Sequence, residues 1–352
     1  MTPVVVIGAG IVGASLTYHL ALAGAPVILL DRADSPAAGV TGTSFAWIGE
    51  ANGEWPGGAQ DLRNSVLADW HRLEAEVPGI MLRWSGSLAW RSRGGSMEPQ
   101  IDLRKDQAWV GRDEIAVVEP NLRTIPERAL YTSTDAGLDP LGATTALVHA
   151  AQRLGAEVRL GVGPATLAIT DGVIAGVTSS EGTLAASTVV IAAGSDVNQL
   201  CAPLHLRLPI EASPAFLVEV AAPAGLVRTI LDTPAFEARE SRAGQVLMTA
   251  PHLNADLSHR PLELLAQDAV QYLRLAFGDA SPVRLLGQRI GWRPIPVAGP
   301  IAGYLTPDRR GYVVVMHSGV TLAATVGRLV ATELTSGRMP DELRRTRAGR
   351  FR

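Results

Sequence analysis

The stretch VVVIGAGIVGASLTYHLALAGAPVILL, residues 4–30, constrains the fold more than any other, because between Pro3 and Leu30 the chain has no Asp, Glu, Lys or Arg. Such a run is either directed to a membrane or enclosed in a protein interior. A secretory signal needs a basic region ahead of its apolar core and a small-residue cleavage site, and only Met1, Thr2 and Pro3 precede this one. A spanning helix requires about twenty unbroken apolar residues, whereas Gly8, Gly10 and Gly13 divide the run. Its pieces differ in character. Residues 3–7 are largely β-branched, residues 14–23 read as a helix that Gly24 terminates, and residues 26–30 read as a second buried strand. With Asp31 at the end of that strand, the segment is one βαβ unit.

The spacing Gly8-x-Gly10-x-x-Gly13 has a mechanical meaning. Gly8 allows the tight turn, Gly10 lets the backbone approach a pyrophosphate, and Gly13 permits close packing of helix on strand. A phosphate then meets the unpaired N–H groups at the helix start, where Ile11 and Val12 lie. Asp31, 18 residues beyond Gly13, is placed to accept hydrogen bonds from an adenosine ribose, with Arg32 beside it. The alternative is an Ala/Gly-rich core helix with no ligand. Both strands and the acid together favour a dinucleotide site.

A length of 352 residues suffices for two cores, possibly interleaved along the sequence. The formal charge of −3 offers no electrostatic basis for binding nucleic acid or an anionic membrane. The single cysteine, Cys201, excludes an intramolecular disulfide and a multi-cysteine metal site, so no metal is expected and a cytoplasmic location fits. Lys105 is the only lysine, in a polar stretch that reads as solvated surface.

After Asp31, residues 37–58 are loop-like and residues 61–76 have the spacing of an amphipathic helix. Residues 87–92 read as a strand, 98–107 as a short polar helix and 131–140 as extended and turn-like. Asp139-Pro140 opens a helix, with Asp as N-cap and Pro at its first position, that runs to Leu154 and is closed by Gly155. Short strands follow at 156–160, 164–170, 173–178 and 182–186, then a buried strand at 188–193. From 206 to 293 the pattern changes to longer strands, among them 236–240 and 245–250, interrupted by one helix at 261–277. A buried strand at 312–316 and a helix at 319–334 resume the first pattern, and the arginine-rich tail from Arg344 reads as solvated or frayed. The fold class is therefore α/β, a Rossmann-like domain with an inserted antiparallel β-sheet (α+β) domain.

Three further stretches join the N-terminal fingerprint: VVIAAG at 189–194, GWRPIP at 291–296 and HSGVTL at 317–322. Together they resemble the D-amino acid oxidase superfamily of FAD-dependent oxidoreductases, in particular its glycine oxidase and sarcosine oxidase-like branch. The resemblance spans almost the whole chain. It implies an FAD-binding domain built from 1–85, 135–204 and 291–352, and a substrate-binding domain from 86–134 and 205–290. It adds Thr43, Ser44, Ala193 and Gly194 to the cofactor site, and places His317, Ser318, Gly319, Val320 and Thr321 near the flavin ring, where helix-start amides face oxygens that gain negative charge on reduction. An ordinary strand-to-helix turn with a hydrogen-bonded His317 is the alternative. Met316 and Ala324 stand where relatives usually carry Gly and Pro.

Arg293 matches the family's arginine for the substrate carboxylate, and a guanidinium presents the planar fork that a carboxylate accepts; a structural ion pair is its other reading. Trp47 falls where relatives line the pocket, or else belongs to the core. Glu237 and His252 match positions near the pocket floor, or else are solvated or core residues. No tyrosine stands where glycine-oxidase-like members use one beside the arginine. Cys201 does not match the flavin-attaching cysteine of sarcosine oxidases, so FAD is expected to be noncovalent, and Lys105 does not match their oxygen-reducing lysine.

The implied activity is oxidation of a C–N bond in a small-molecule amine or amino acid by hydride transfer to flavin, with O2 or another acceptor taking the electrons and no membrane span or nucleic acid involved. A NAD-dependent dehydrogenase and a flavoprotein subunit that needs a partner are the other readings.

Overall fold

The computed structural model of the protein describes residues 2–50, 56–90, 103–250, 257, 259–278 and 282–351. Its centre is a six-stranded sheet in the spatial order Ile301–Tyr304, Gly311–Val315, Thr188–Ile191, Val4–Ile7, Val27–Leu30 and Glu157–Arg159. The last five strands are mutually parallel, and Ile301–Tyr304 closes one edge as an antiparallel hairpin partner. Both faces of this sheet are apolar, as a parallel sheet requires. Val6, Leu29, Val190 and Val314 point to one side, where they meet the helices Ile11–Leu22, Pro140–Arg153 and Gly319–Ser336. Val5, Ile7, Ile28, Leu30, Val189, Ile191 and Val313 point to the other, which is covered by a three-stranded sheet of Thr166–Thr170, Val173–Ser179 and Gly182–Ala185.

A second sheet has eight strands in the order Arg284–Pro296, Ile210–Ala221, Gln245–Thr249, Glu237–Arg242, Ile230–Asp232, Ser87–Ala89, Arg128–Thr132 and Gln107–Gly111. Its pairings are antiparallel except between Ile230–Asp232 and Ser87–Ala89. Phe216, Val218, Ala238, Val246 and Met248 pack on the helix Leu262–Phe277 through its buried stripe Leu265, Ala269, Val270 and Leu273. The opposite face turns toward the parallel sheet. Strand Arg284–Pro296 pairs with Ile210–Ala221 along its whole length, so a boundary at 290/291 falls in the middle of a continuous strand.

Elsewhere the sequence expectations meet local competition. The helix expected over 61–76 is two helices, Ala59–Arg63 and Val66–Glu76, parted at Asn64 and Ser65, two residues of low helix propensity. The short polar helix expected over 98–107 lies partly outside the described residues, and its end is corrected: Gln107 begins a strand, because Trp109 and Val110 find partners in Leu130 and Ala129. The loop at 37–58 contains the short strand Trp47–Ile48, paired with Ala136–Leu138. Asp139 caps its helix as expected, its Oδ1 accepting the N–H groups of Leu141 and Gly142. The C-terminal tail is docked, not frayed: Leu343 and Thr346 are fully buried, and Arg347 forms a two-point ion pair with buried Glu333 at 2.7 and 2.9 Å. No helix among the described residues is long and apolar enough to cross a membrane.

Candidate functional site

The glycine turn is built as its spacing requires. Gly8 has φ +111°, and a Cβ there would lie 2.5 Å from the Ala192 carbonyl oxygen. A Cβ on Gly13 would lie 1.9 Å from the Gly8 carbonyl oxygen, so this glycine packs helix Ile11–Leu22 against its own turn and lies behind the site. Gly10 is different. Its space is open apart from the Thr41 hydroxyl 3.2 Å from a Cβ position, and it gives the helix no side-chain cap. Thr41 Oγ1 accepts the Ile11 N–H at 3.2 Å, a contact between residues 30 positions apart that has no local signature. Asp31 closes the turn from the second strand: its Oδ2 accepts the Ala9 N–H at 2.6 Å and its Oδ1 the Ala33 N–H at 2.9 Å.

From this turn a cavity of about 1020 Å³ runs between the two sheets, a volume at the top of the range for small-molecule sites. Its wall includes Gly8, Gly10, Ile11, Val12, Asp31 and Arg32 at one end and Asp232, Glu237, Thr249 and Arg293 at the other. Thr43, Ser44, Trp47, Ala193 and Gly194 line it between, as do His317, Ser318, Gly319, Val320 and Thr321. Gly13 is not in the wall, and His252 lies outside the described residues. Arg32 is paired with Asp196 at 2.9 Å across the rim. Thr43 packs on Gly291, where a Cβ would lie 2.3 Å from its Oγ1, and Ser44 Oγ accepts the Ala46 N–H.

Two helix starts converge on the cavity. Val12 lies 3.7 Å from a Cβ position on Gly319, so the first turns of Ile11–Leu22 and Gly319–Ser336 sit side by side. Close approach of these helices rests on Gly327, which meets Ser15, and on the Ser15 hydroxyl, which donates to the Ala323 carbonyl at 2.8 Å. The Thr321 hydroxyl donates to the Trp47 carbonyl at 2.7 Å, fixing the strand that brings Trp47 to the wall.

At the far end, Arg293 stands on the strand Arg284–Pro296 opposite Ser213. Its Nη2 donates to Ser213 Oγ at 2.9 Å and to the Pro214 carbonyl at 3.1 Å, while its Nε–H is buried with no partner among the described residues. Burial lowers the guanidinium's pKa from its usual value, and nearby Glu237 opposes that shift. Asp232 and Glu237 stand directly opposite each other on neighbouring strands. His317 projects into the lumen. Enclosure, together with the positive charges of Arg293 and Arg63, pushes its imidazole down to about 4, so the ring is neutral at physiological pH.

Several wall residues have no signature in the sequence. Arg63, 4% exposed, reaches the site from the helix Ala59–Arg63. Asp135, also 4% exposed, follows the strand Arg128–Thr132 in a stretch that reads only as a turn. Charged residues in a polar-looking helix and turn give no sign that they are buried.

A glycine turn with an acid bound to its amides, two helix starts and a long cavity with an arginine in its wall suit a flavin dinucleotide and a small substrate. Residues 3–333 match the family described as DAO: FAD dependent oxidoreductase. The chain belongs to that family. It is 28% identical over 409 residues to the D-amino acid dehydrogenase of Paramagnetospirillum magneticum, with 95% of each chain covered. In fold it is similar to the L-amino acid deaminase of Proteus vulgaris, with a TM-score of 0.84 at 18% identity, covering 100% of this chain and 94% of that one. It is similar also to the glycine oxidase of Bacillus cereus, with a TM-score of 0.82 at 19% identity, covering 97% of this chain and 98% of that one. The residues present fit FAD. The open cradle at Gly10 leaves room that any side chain would fill, and the uncapped helix start and Asp31 line the cavity beside it.

Proposed function

We propose that this FAD-dependent oxidoreductase oxidises the C–N bond of an amino acid or a related carboxylate-bearing amine. The substrate loses a hydride and a proton to become an imine, which water hydrolyses to a carbonyl compound and ammonia, or an amine where the nitrogen is substituted. Bound FAD supplies the hydride acceptor, and the electrons pass on to O2, giving H2O2, or to another acceptor. In this reading the six-stranded sheet and its helices hold the cofactor, and the cavity-facing side of the eight-stranded sheet holds the substrate.

The observation that carries the reading is the state of Arg293. Its Nη2 is tied to the neighbouring strand, which fixes the plane of the guanidinium, and its buried Nε–H has no partner among the described residues. The guanidinium itself stands in the cavity wall, held partly out of water so that burial lowers its pKa, and a substrate carboxylate would favour its charged form through charge-assisted hydrogen bonds. Neutral His317 beside it adds no competing positive charge, and Glu237 faces the arginine from the cavity floor. Noncovalent FAD is supported by Cys201, which is fully buried in the core, outside the cavity wall, and whose thiol burial pushes up to about 12.

A second reading concerns the acceptor. Lys105, the only lysine, is exposed and does not line the cavity, which favours a dehydrogenase that passes electrons to an acceptor other than O2. The test of the main reading is an anaerobic screen of amines and amino acids for bleaching of the flavin absorbance. Bleaching by amino acids and not by simple amines is the expected result, and a flavin that no amine or amino acid reduces sinks the proposal. Readmitting air, with peroxide measured against reduction of an electron-accepting dye, separates oxidase from dehydrogenase.

A further inference from the structure

Asp135 lies in the cavity wall between the strands Arg128–Thr132 and Ala136–Leu138, almost wholly buried. Its Oδ2 accepts two neutral donors, the Trp47 indole N–H at 2.9 Å and the Ser87 hydroxyl at 2.6 Å. Its Oδ1 is buried with no hydrogen-bond partner among the described residues. That oxygen rests against Gly49, where a Cβ would lie only 2.2 Å away, so the carboxyl group fits because residue 49 has no side chain. Trp47 is thereby gripped at two points: its carbonyl by the Thr321 hydroxyl at the start of the closing helix, and its ring by Asp135.

We infer that Asp135 is a positioning residue of the reaction cavity, whose carboxylate holds the Trp47 indole in the wall in the orientation that a bound substrate meets. Packing confines an aromatic ring to a few rotamers, and a hydrogen bond to the indole N–H, its one polar handle, selects among them. Asn in place of Asp135 satisfies both donors equally well in number. What the carboxylate adds is charge, which makes a hydrogen bond roughly twice as strong as a neutral one.

That charge is conditional. Burial pushes the Asp135 carboxyl up to about 6, with its own hydrogen bonds from Ser87 and Trp47 acting in the opposite direction. The charged groups facing it are Arg104, which favours the carboxylate, and Asp106, which disfavours it. Asp106 is itself held down to about 2, mainly by hydrogen bonds from Arg104, and stays ionised throughout. Glu50, the ion-pair neighbour of Arg104, is raised by burial and is the one other acid here whose titration needs a control. The grip on Trp47 therefore weakens as the pH falls through about 6.

The experiment compares the emission of the FAD-loaded protein with that of its Trp47→Phe variant as the pH is varied, the difference spectrum reporting Trp47 alone; the FAD-stripped protein serves as a second series. A single titration near pH 6 is expected in the wild type and in Glu50→Gln, and its loss in Asp135→Asn, with KM for the amino-acid substrate raised several-fold and kcat changed less. Gly49→Ala keeps the carboxylate but displaces it, and is expected to shift the midpoint or abolish the transition; this variant decides the matter if Asp135→Asn does not fold. A titration that survives Asp135→Asn, is absent from the wild type, or is unmoved by Gly49→Ala overturns the inference. Only the kinetic arm rests on the proposed reaction. Amine-driven bleaching without a Trp47 titration rejects the role of Asp135, and a Trp47 titration without bleaching rejects the reaction.

Discussion

Arg239 donates its Nε–H to the carbonyl oxygen of Phe45 at 2.6 Å, joining the eight-stranded sheet to the loop that carries Trp47. Its Nη2 donates to the Leu138 carbonyl at 2.7 Å, and its guanidinium lies over Gly137, where a Cβ would come within 2.7 Å of Nη1. The side chain is 2% exposed, and burial pushes it down to about 10, so it remains a cation at every working pH. This arginine is the polar seam between the eight-stranded sheet and the strands that frame the cavity.

Arg239→Leu fills similar space but removes the donor from the buried Leu138 carbonyl and from the partly buried Phe45 carbonyl. At about 1–3 kcal/mol for a buried group and less for a partly buried one, the variant is expected to lose roughly 1–4 kcal/mol of stability and to retain less FAD, because the loop that carries Trp47 loses its tie at Phe45. Urea unfolding of the FAD-loaded and FAD-stripped protein, with bound flavin measured after gel filtration, checks both. An unchanged midpoint would show that the seam is held by packing alone.

How much of this arrangement was legible in the sequence depends on the kind of signal. The βαβ unit was legible to within a few residues, because glycine spacing and β-branched runs are local features. The direct consequences of Gly8 and Gly10 followed from the same stretch, while the packing role of Gly13 left it behind the site. Arg239, Arg63 and Asp135 were not legible. Each is a charged residue in a segment of mixed polarity, and only long-range pairing, 194 positions in the case of Arg239 and Phe45, reveals that it is buried. The docking of the tail was illegible for the same reason, although Arg344 and Arg345 are exposed as expected. Arg347 looks like one more surface arginine until buried Glu333, which also accepts from the Tyr312 hydroxyl at 2.7 Å, supplies its partner. A short run of arginines says nothing about which one meets a buried acid.

A second prediction concerns acid stability. His19 is buried, with Nδ1 2.8 Å from the Ser15 carbonyl and Nε2 2.8 Å from Arg72 Nη2, so Nδ1 carries the proton and Nε2 accepts. Burial, seconded by Arg72, lowers its pKa from 6.5 to about 4. A histidine whose folded pKa is depressed contributes stability that is present above the unfolded value and is lost as the pH falls through the folded one. The window is thus from about 6.5 down to about 4, and the loss is roughly 3 kcal/mol at about 1.4 kcal/mol per unit. His19→Gln is expected to flatten that part of the curve when unfolding free energy is measured at several pH values. Asp135 works with the opposite sign, since its raised pKa gives stability that is lost as the pH rises through about 6, so the comparison must be between wild type and variant, not between pH values alone.

The third prediction separates the roles of the glycines in binding FAD. Gly10 has an ordinary φ of −70°, and its Cβ position meets only the Thr41 hydroxyl at 3.2 Å. Gly10→Ala is expected to fold as stably as the wild type when stripped of FAD, yet to bind FAD at least about tenfold more weakly, which corresponds to about 1.4 kcal/mol. Gly8→Ala, at φ +111° and 2.5 Å from a backbone oxygen, is expected to lose stability even without cofactor. Asp31→Ala is expected to lie between them, because its carboxylate accepts from the turn amides and also lines the cavity, where the proposed contact is to the FAD ribose. Flavin titration by fluorescence quenching, alongside melting of the stripped proteins, distinguishes the three, and an Asp31→Ala protein that loads fully with FAD would remove the ribose assignment.

The last prediction turns on Arg293, which decides between amino acids and simple amines. Its Nη2 is already engaged with Ser213 and Pro214, so the arginine is part of the strand pairing as well as of the wall, and a mutation acts on both. The two effects separate in the FAD-loaded protein. If a substrate carboxylate meets the guanidinium, Arg293→Ala loses a charge-assisted contact in a partly desolvated site, a loss of about 2–5 kcal/mol, or roughly thirty-fold to several-thousand-fold in affinity. Arg293→Lys retains the charge without the planar fork and should recover only part of it. Ser213→Ala removes one anchor and leaves the guanidinium, so a purely structural arginine predicts that Ser213→Ala and Arg293→Ala lower flavin retention or stability together and leave substrate affinity alone. The measurement is the anaerobic dependence of flavin reduction on amino-acid concentration, normalised to bound FAD, in all four proteins. An apparent dissociation constant that is the same in wild type and FAD-loaded Arg293→Ala would assign the arginine to the strand pair and turn the substrate class toward amines without a carboxylate.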